Sequence, residues 1–379
     1  MARRTKALHT AATDWLQGFE PEGVASPALA ILNAVTPNAS PIPVVPREVA
    51  MVTALVAFEL MTQAANEPIA HSTRDALSVV SSIDSEQSIH ITAASAAMYA
   101  CAQVAPVEES PAAEELSSWP LFDPRQYEPA TGMKARVEAN LNAIRLMKEL
   151  ASTAQEPTAE HRHALLRYLG WGGLAKVFEE IEGNTLGAYQ VQLKSLISEG
   201  EFASARASTT SAFFTDPVVV DAIWNIVRKL GFTGGRIIEP AAGTGMFLAG
   251  MPADIARRSN ITAVEIDKLT GQILQTVFGG LGVTTHISGI EKANVPHGFY
   301  DLAISNVPFG DHRTLETRKV GYADWTVHNY FFGKAVDLVR PGGLIVLVTS
   351  AGTMESDTSA HRKWLNAHAE MLGAIRLPR

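Results

Sequence analysis

Arg-Ile-Ile-Glu-Pro-Ala-Ala-Gly-Thr-Gly-Met-Phe, running from Arg236 to Phe247, is the stretch on which the fold turns. A short β-branched run meets a Gly-x-Gly turn, and an apolar helical pattern follows. Gly243 and Gly245 remove side chains where a ligand must approach backbone. Glu265 closes the next β-rich run, 22 residues after Gly243. An acidic side chain at about that spacing accepts hydrogen bonds from ribose hydroxyls. Leu248 stands where the six-residue dinucleotide pattern needs its third glycine, and no Gly-Lys-Ser/Thr phosphate loop occurs. A nucleoside ligand without a phosphate chain fits better than a dinucleotide or ATP. The plainer alternative is a strand–turn–helix whose glycines only make the turn, and Glu265 weighs against it.

Outward from this loop, β-rich and helical patterns alternate. Strands are expected at Arg236–Pro240, Ile261–Asp267, Thr284–Ser288, Tyr300–Asn306, Leu344–Ser350 and Leu372–Leu377. Helices are expected at Pro217–Leu230, Lys268–Leu281, Val327–Val339 and Thr358–Met371. Such alternation specifies an α/β fold, a doubly wound parallel sheet with helices on both faces. Ligands bind such sheets at the carboxyl ends of the strands.

A second motif, Asn306-Val307-Pro308-Phe309, falls at one of those ends. Asn306 offers a carbonyl acceptor, Pro308 stiffens the turn that presents the Val307 carbonyl, and Phe309 supplies a flat apolar face. Two acceptors and a stacking ring suit a planar base bearing an amino group. Stacking contributes roughly 1–3 kcal/mol per base, and a base within a duplex has to be flipped out to reach the loop. By itself the tetrapeptide reads as a β-turn over a buried Phe. At the end of the third strand after a ligand loop, it reads as an active site.

The chain holds 379 residues, 46% of them apolar, with one cysteine, Cys101. A disulfide framework and a cysteine metal cluster are excluded, which points to a reduced, cytoplasmic setting. The longest predominantly apolar run, Val49–Phe58, is far short of the ~20 residues that span a bilayer, and no signal-peptide core follows the basic start. Residues 1–205 hold 14 Lys/Arg against 24 Asp/Glu, a net of −10, and residues 206–379 hold 17 against 15, a net of +2. The half with the motifs is the less acidic one, which permits a nucleic-acid substrate.

Residues 1–103 are alanine-rich and are expected to be mostly helical, with a buried helix over Arg47–Ala65. Residues 104–130, with five prolines, are expected to be a linker. Helical periodicity spans Lys134–Ala154 and Glu160–Glu180, with a break and cap at Gln155–Thr158. Residues 131–205 would pack on residues 206–379 as a helical segment. Gly170-Trp171-Gly172-Gly173 is either a helix stop with a buried Trp or part of the packing of that segment over the cleft. His286, His297, His312 and His328 are scattered, and no metal site is expected.

Taken together, residues 206–379 resemble the N6-adenine DNA methyltransferases, which carry an Asn/Asp/Ser-Pro-Pro-Tyr/Phe catalytic motif after their cofactor motif. The resemblance implies a Rossmann-like methyltransferase sheet and S-adenosyl-L-methionine as cofactor. Phe214 and Thr215, within Ser211–Pro217, would line its methionine end. Glu239, Ala241, Gly243 and Gly245 match the cofactor loop, Glu265 the ribose-binding acid, and Ile266 the residue on the adenine. Ile290 occupies the usual acidic position after the third strand, and Glu291 follows it. Asn306, Val307, Pro308 and Phe309 match the catalytic tetrapeptide, with Val307 in place of the first proline.

The tryptophan–glycine segment and Asn306–Gly310 further resemble large phage and plasmid methyltransferase–helicase proteins. That implies DNA as substrate, no membrane, and a helicase or other module beyond the chain. The end at Arg379 implies a domain truncated before its last strand and its target-recognition region. Two other readings stand beside this one. Methyltransferases of protein glutamine use a related Asn-Pro-Pro-Tyr loop, and a module with this fold could have lost turnover. Cytosine-C5 chemistry needs a cysteine nucleophile, and Cys101 lies outside the matched region.

Overall fold

The computed structural model describes residues 50–51, 56–57, 119, 121–123, 127–180, 185–210, 214–316, 320–355 and 360–375. Five strands form its parallel sheet: β1 (Gly235–Glu239), β2 (Ser259–Glu265), β3 (Val283–Ile287), β4 (Tyr300–Asn306) and β5 (Val339–Thr349). Their order is β5-β4-β1-β2-β3, all parallel. Between β1 and β4 the order reverses, which opens a crevice at their carboxyl ends. Val56–Ala57 pairs in parallel outside β5, and Ala50–Met51 pairs with a sixth strand, β6 (Glu370–Met371).

Strand periodicity explains why both faces are covered. Ile237, Ile261, Ala263, Leu302, Ile304, Leu344 and Val346 point into one buried cluster. Their neighbours Ile238, Val264, Ala303, Ile345 and Leu347 point into another. With a side-chain period of 2, a strand apolar at nearly every position must be buried on both sides. The first cluster receives α1 (Met133–Thr153), α2 (Ala159–Leu165), α3 (Gly187–Leu196), α4 (Glu199–Ala207), α5 (Pro217–Lys229), α6 (Met246–Ala249), α7 (Ala253–Ala256) and α8 (Lys268–Phe278). The second receives α9 (Val327–Leu338) and α11 (Ala360–His368), with the short α10 (Gly352–Glu355) between them in sequence.

The helix starts follow local chemistry. Asp216 caps α5 by accepting from the Val218 amide at 2.8 Å, and Pro217 takes the first helical position. Thr158 caps α2 with a reciprocal contact to His161, at the break expected there. Ser198 does the same for α4 with Glu201.

Several expectations need correction. Within Arg47–Ala65 the four described residues are strand, not helix, and the rest lie outside the described residues. A short apolar run has no periodicity that separates a buried strand from a helix. The helix begun at Glu160 stops at Leu165 rather than Glu180 and gives way to turns and a single 3-10 turn, Ala175–Phe178. Residues 372–375 carry no strand, and the pairing ends at Met371.

The described part of the expected linker sends three aromatic side chains into the core. Trp119, Phe122 and Tyr127 are buried. Trp119 donates to the Leu248 carbonyl at 2.6 Å and stacks on Phe278, and the Leu121 amide donates to the Ala249 carbonyl at 2.8 Å. A proline-rich composition suggested a spacer, but aromatic side chains anchor it.

Candidate functional site

The residues of the two motifs come together in one cleft of about 350 Å³ at the carboxyl ends of β1, β2 and β4. A cleft of that size falls in the range of small-molecule sites. Of the expected site residues, Phe214, Thr215, Glu239, Ala241, Gly243, Glu265, Ile266, Glu291, Asn306, Val307, Pro308 and Phe309 all line it. Gly245 does not. It caps α6 with φ 81°, and a Cβ there would lie 2.3 Å from Phe278 Cε2. Its glycine is required by packing against α8, whereas Gly243, with φ 56°, has open space where its side chain would be.

The loop after β1 is tied to the end of β2. The Ala242 amide donates to the Val264 carbonyl at 2.8 Å. Glu265 accepts from the Gly243 amide at 2.8 Å and from the Asp267 amide at 2.7 Å. Burial pushes the Glu265 carboxyl up to about 7, against those two amides, and the Asp267 carboxylate adds to the rise. Ile266 follows with 72% exposure, an apolar side chain standing in the cleft. Asp267 in turn caps α8, accepting from the Thr270 amide at 2.9 Å.

Glu239 lies deeper. It is 2% exposed, and its Oε2 has no hydrogen-bond partner. Burial holds this carboxyl well above the usual carboxylate range. The Glu265 charge adds to that, and a hydrogen bond from the Leu248 backbone opposes it. An unmatched buried carboxyl is costly unless a ligand group completes it. Glu239, Glu265, Asp267 and Glu291 all line the cleft, with His312 and Arg313 among its other residues. Those acidic groups fit a cationic nucleoside, with ribose hydroxyls donating to one carboxylate and a positive group near a second.

The tetrapeptide loop is braced from three sides. Asn306 Nδ2 donates to Thr215 Oγ1 at 3.0 Å, so the residue just ahead of the α5 cap orients the amide at the tip of β4. Ser305 Oγ donates to the Ala241 carbonyl at 3.1 Å, and the Val307 amide to the Val348 carbonyl at 3.0 Å. Val307 is buried at 1% exposure. Phe309 packs against both hydrophobic clusters. Beyond it, Val327 donates to the His312 carbonyl at 2.9 Å, and Glu316 accepts from Tyr330 at 3.1 Å. These contacts hold His312–Leu315 along the cleft, where Leu315 is 75% exposed.

Sequence reading missed Tyr168 and Leu169, which reach the cleft from the helical segment. The one signal for them was the neighbouring Gly170-Trp171-Gly172-Gly173. The segment does not stop a helix, because α2 already ends at Leu165, but Trp171 is buried in the core and Gly170 lines the cleft.

No family model matches the chain. In sequence it is similar to the defense against restriction protein B of Escherichia phage P1, with 29% identity over 249 residues, 65% of this chain. The chain spans 9% of that relative's length. Among solved structures, it is similar to the methyltransferase subunit of a type I restriction-modification system from Streptococcus thermophilus. Identity there is 14%, coverage 60% of this chain and 59% of that one, and the TM-score 0.35. Geranyl diphosphate C-methyltransferase from Streptomyces coelicolor matches at 11% identity over 65% of this chain and 76% of that one, with a TM-score of 0.26.

Proposed function

We propose that the cleft is the active site of an S-adenosyl-L-methionine-dependent methyltransferase that acts on the exocyclic N6 amino group of adenine in DNA. The observation that carries this reading is the convergence of the Gly243–Glu265 bracket and the Asn306–Phe309 loop on one cleft, joined by the Thr215–Asn306 hydrogen bond. S-adenosyl-L-methionine, when bound, supplies a methyl group on a cationic sulfonium. Glu265 accepts from the ribose hydroxyls, and Ile266 covers the adenine. Glu239, Phe214 and Thr215 receive the methionine half, with Ala241 and Gly243 allowing close backbone approach. Glu291 lies on the wall beside Ile290, whose side chain is buried.

Asn306 Oδ1 and the Val307 carbonyl accept from the target amino group, Pro308 stiffens the turn, and Phe309 stacks on the base. Orientation of this kind supplies several kcal/mol of barrier reduction. Nothing in this arrangement calls for a covalent intermediate or a metal. The similarity to a phage protein named for defense against restriction supports DNA as the substrate. The reading places the protein in the cytoplasm, with a helicase or target-recognition module as partner. Among the described residues, no helix is long and apolar enough to cross a membrane.

The test uses labelled cofactor and DNA of mixed sequence. Asn306→Ala should abolish label transfer to adenine while leaving cofactor affinity within about twofold, since its contribution is to orientation. Label on a protein glutamine instead of adenine moves the substrate to an amide, and full activity of Asn306→Ala overturns the assignment of the loop.

A further inference from the structure

Tyr168 belongs to neither motif, yet the fold delivers it to the cleft with little freedom. After α2 the chain turns through Leu166–Leu169 into Gly170-Trp171-Gly172-Gly173, and α1 clamps this turn. Asn140, fully buried, accepts from the Leu169 amide at 2.8 Å and donates to the Gly170 carbonyl at 2.7 Å. Arg136 donates to the Gly172 carbonyl at 2.7 Å, and the Gly173 amide donates to the Thr209 carbonyl at 2.9 Å. Tyr168 thus forms the wall beside Glu265, Ile266, Asp267 and Thr270.

The Tyr168 ring is 1% exposed, and its hydroxyl has no hydrogen bond of good geometry. The Thr270 hydroxyl and the Trp171 indole lie beside it. The first donates to Asp267 Oδ2 at 2.7 Å, and neither makes a hydrogen bond of good geometry with the phenol. A phenylalanine would fill the same space without a stranded hydroxyl, because a buried polar group left unmatched is destabilising. Burial, together with the charges of Asp267 and Glu265, keeps the phenol protonated and therefore a donor.

We propose that Tyr168 is a ligand-binding residue of this cleft, its hydroxyl hydrogen-bonding the nucleoside half of the ligand. The inference rests on the methyltransferase reading above. It is the β2 and α8 end of the cleft that Tyr168 faces, whereas Glu239, Thr215 and Asn306 gather at the ends of β1 and β4. The helical segment is on this account part of the binding site, not only a cover for the sheet.

Calorimetric titration of the wild type and Tyr168→Phe with S-adenosylhomocysteine and with 5′-methylthioadenosine, which lacks the amino-acid half, tests this. Loss of one neutral hydrogen bond should weaken both ligands about five- to tenfold, while the ligand-free variant melts at the wild-type temperature or above it. Equal affinity of variant and wild type overturns the inference, as does a loss confined to S-adenosylhomocysteine. A ligand-free variant that melts several degrees lower assigns the hydroxyl to the fold and also overturns it. Wild-type protein that binds neither ligand overturns the nucleoside reading itself, a failure distinct from that of Tyr168.

Discussion

Glu265 concentrates the chemistry of the cleft in one side chain. Its two oxygens hold the loop after β1 against the end of β2, and a ribose would add to those contacts. Glu265→Ala should weaken S-adenosylhomocysteine binding about tenfold or more, since hydrogen bonds to a charged partner contribute about 1.5–3 kcal/mol. Calorimetry showing unchanged affinity removes Glu265 from the site. Its titration has a second consequence. The carboxyl holds its proton up to about 7 in the folded chain against 4.5 ordinarily. A group raised in this way binds more protons folded than unfolded, so its contribution is complete below the unfolded value and is lost as pH rises through the folded one. The melting temperature of the ligand-free protein should therefore fall between about pH 5 and pH 8, and Glu265→Gln should flatten part of that fall. Glu239, raised for the same reason, supplies the remainder with the same sign. A melting temperature that rises over this window contradicts the assignment.

At the scale of elements, the two glycines of the first loop separate in role. Gly245 opens α6 with its α-carbon against Phe278 and Leu274 of α8. Gly245→Ala adds a left-handed strain of roughly 1–2 kcal/mol to overpacking of about 1–3 kcal/mol. The variant should melt well below the wild type. Gly243→Ala carries only the left-handed strain and meets no atom of the protein. It should fold and lose ligand affinity, because the new methyl stands in the cleft. Thermal denaturation and calorimetry on the pair check this, and similar melting temperatures for the two contradict it. The sequence pattern Gly-x-Gly told both residues apart from their neighbours. Only the position of α8 told them apart from each other.

Over the whole molecule, the segment ahead of α1 joins the core of the sheet domain. Tyr127 stacks on Phe214 at 6.1 Å between ring centroids, so the anchored segment also supports a wall of the cleft. Trp119→Ala should destabilise the fold by about 3–5 kcal/mol, the range for large aromatic truncations in a core. A chain beginning at Gly132 should unfold at a lower temperature than one beginning at Ser117. Denaturant melts of the two shortened chains measure the difference, and equal midpoints place Trp119 outside the folding unit.

The sequence by itself determined the sheet and which residues gather at the ends of its strands. All five main strands were legible, because parallel strands buried on both faces read as β-branched apolar runs between helical patterns. Twelve of the thirteen expected site residues line the cleft, because loops at strand ends carry their chemistry in short contiguous motifs. What only the tertiary structure decided depends on contacts distant in sequence. Asn306 meets Thr215 across 91 residues, and Trp119 meets Leu248 across 129. Tyr168 reaches the cleft because α1 holds a turn about 30 residues further on. Local periodicity and composition report which way a side chain faces within its own element. They carry no information on which other element will be packed against it, and that packing is what brings part of a proline-rich stretch into the core and a turn to the wall of the cleft.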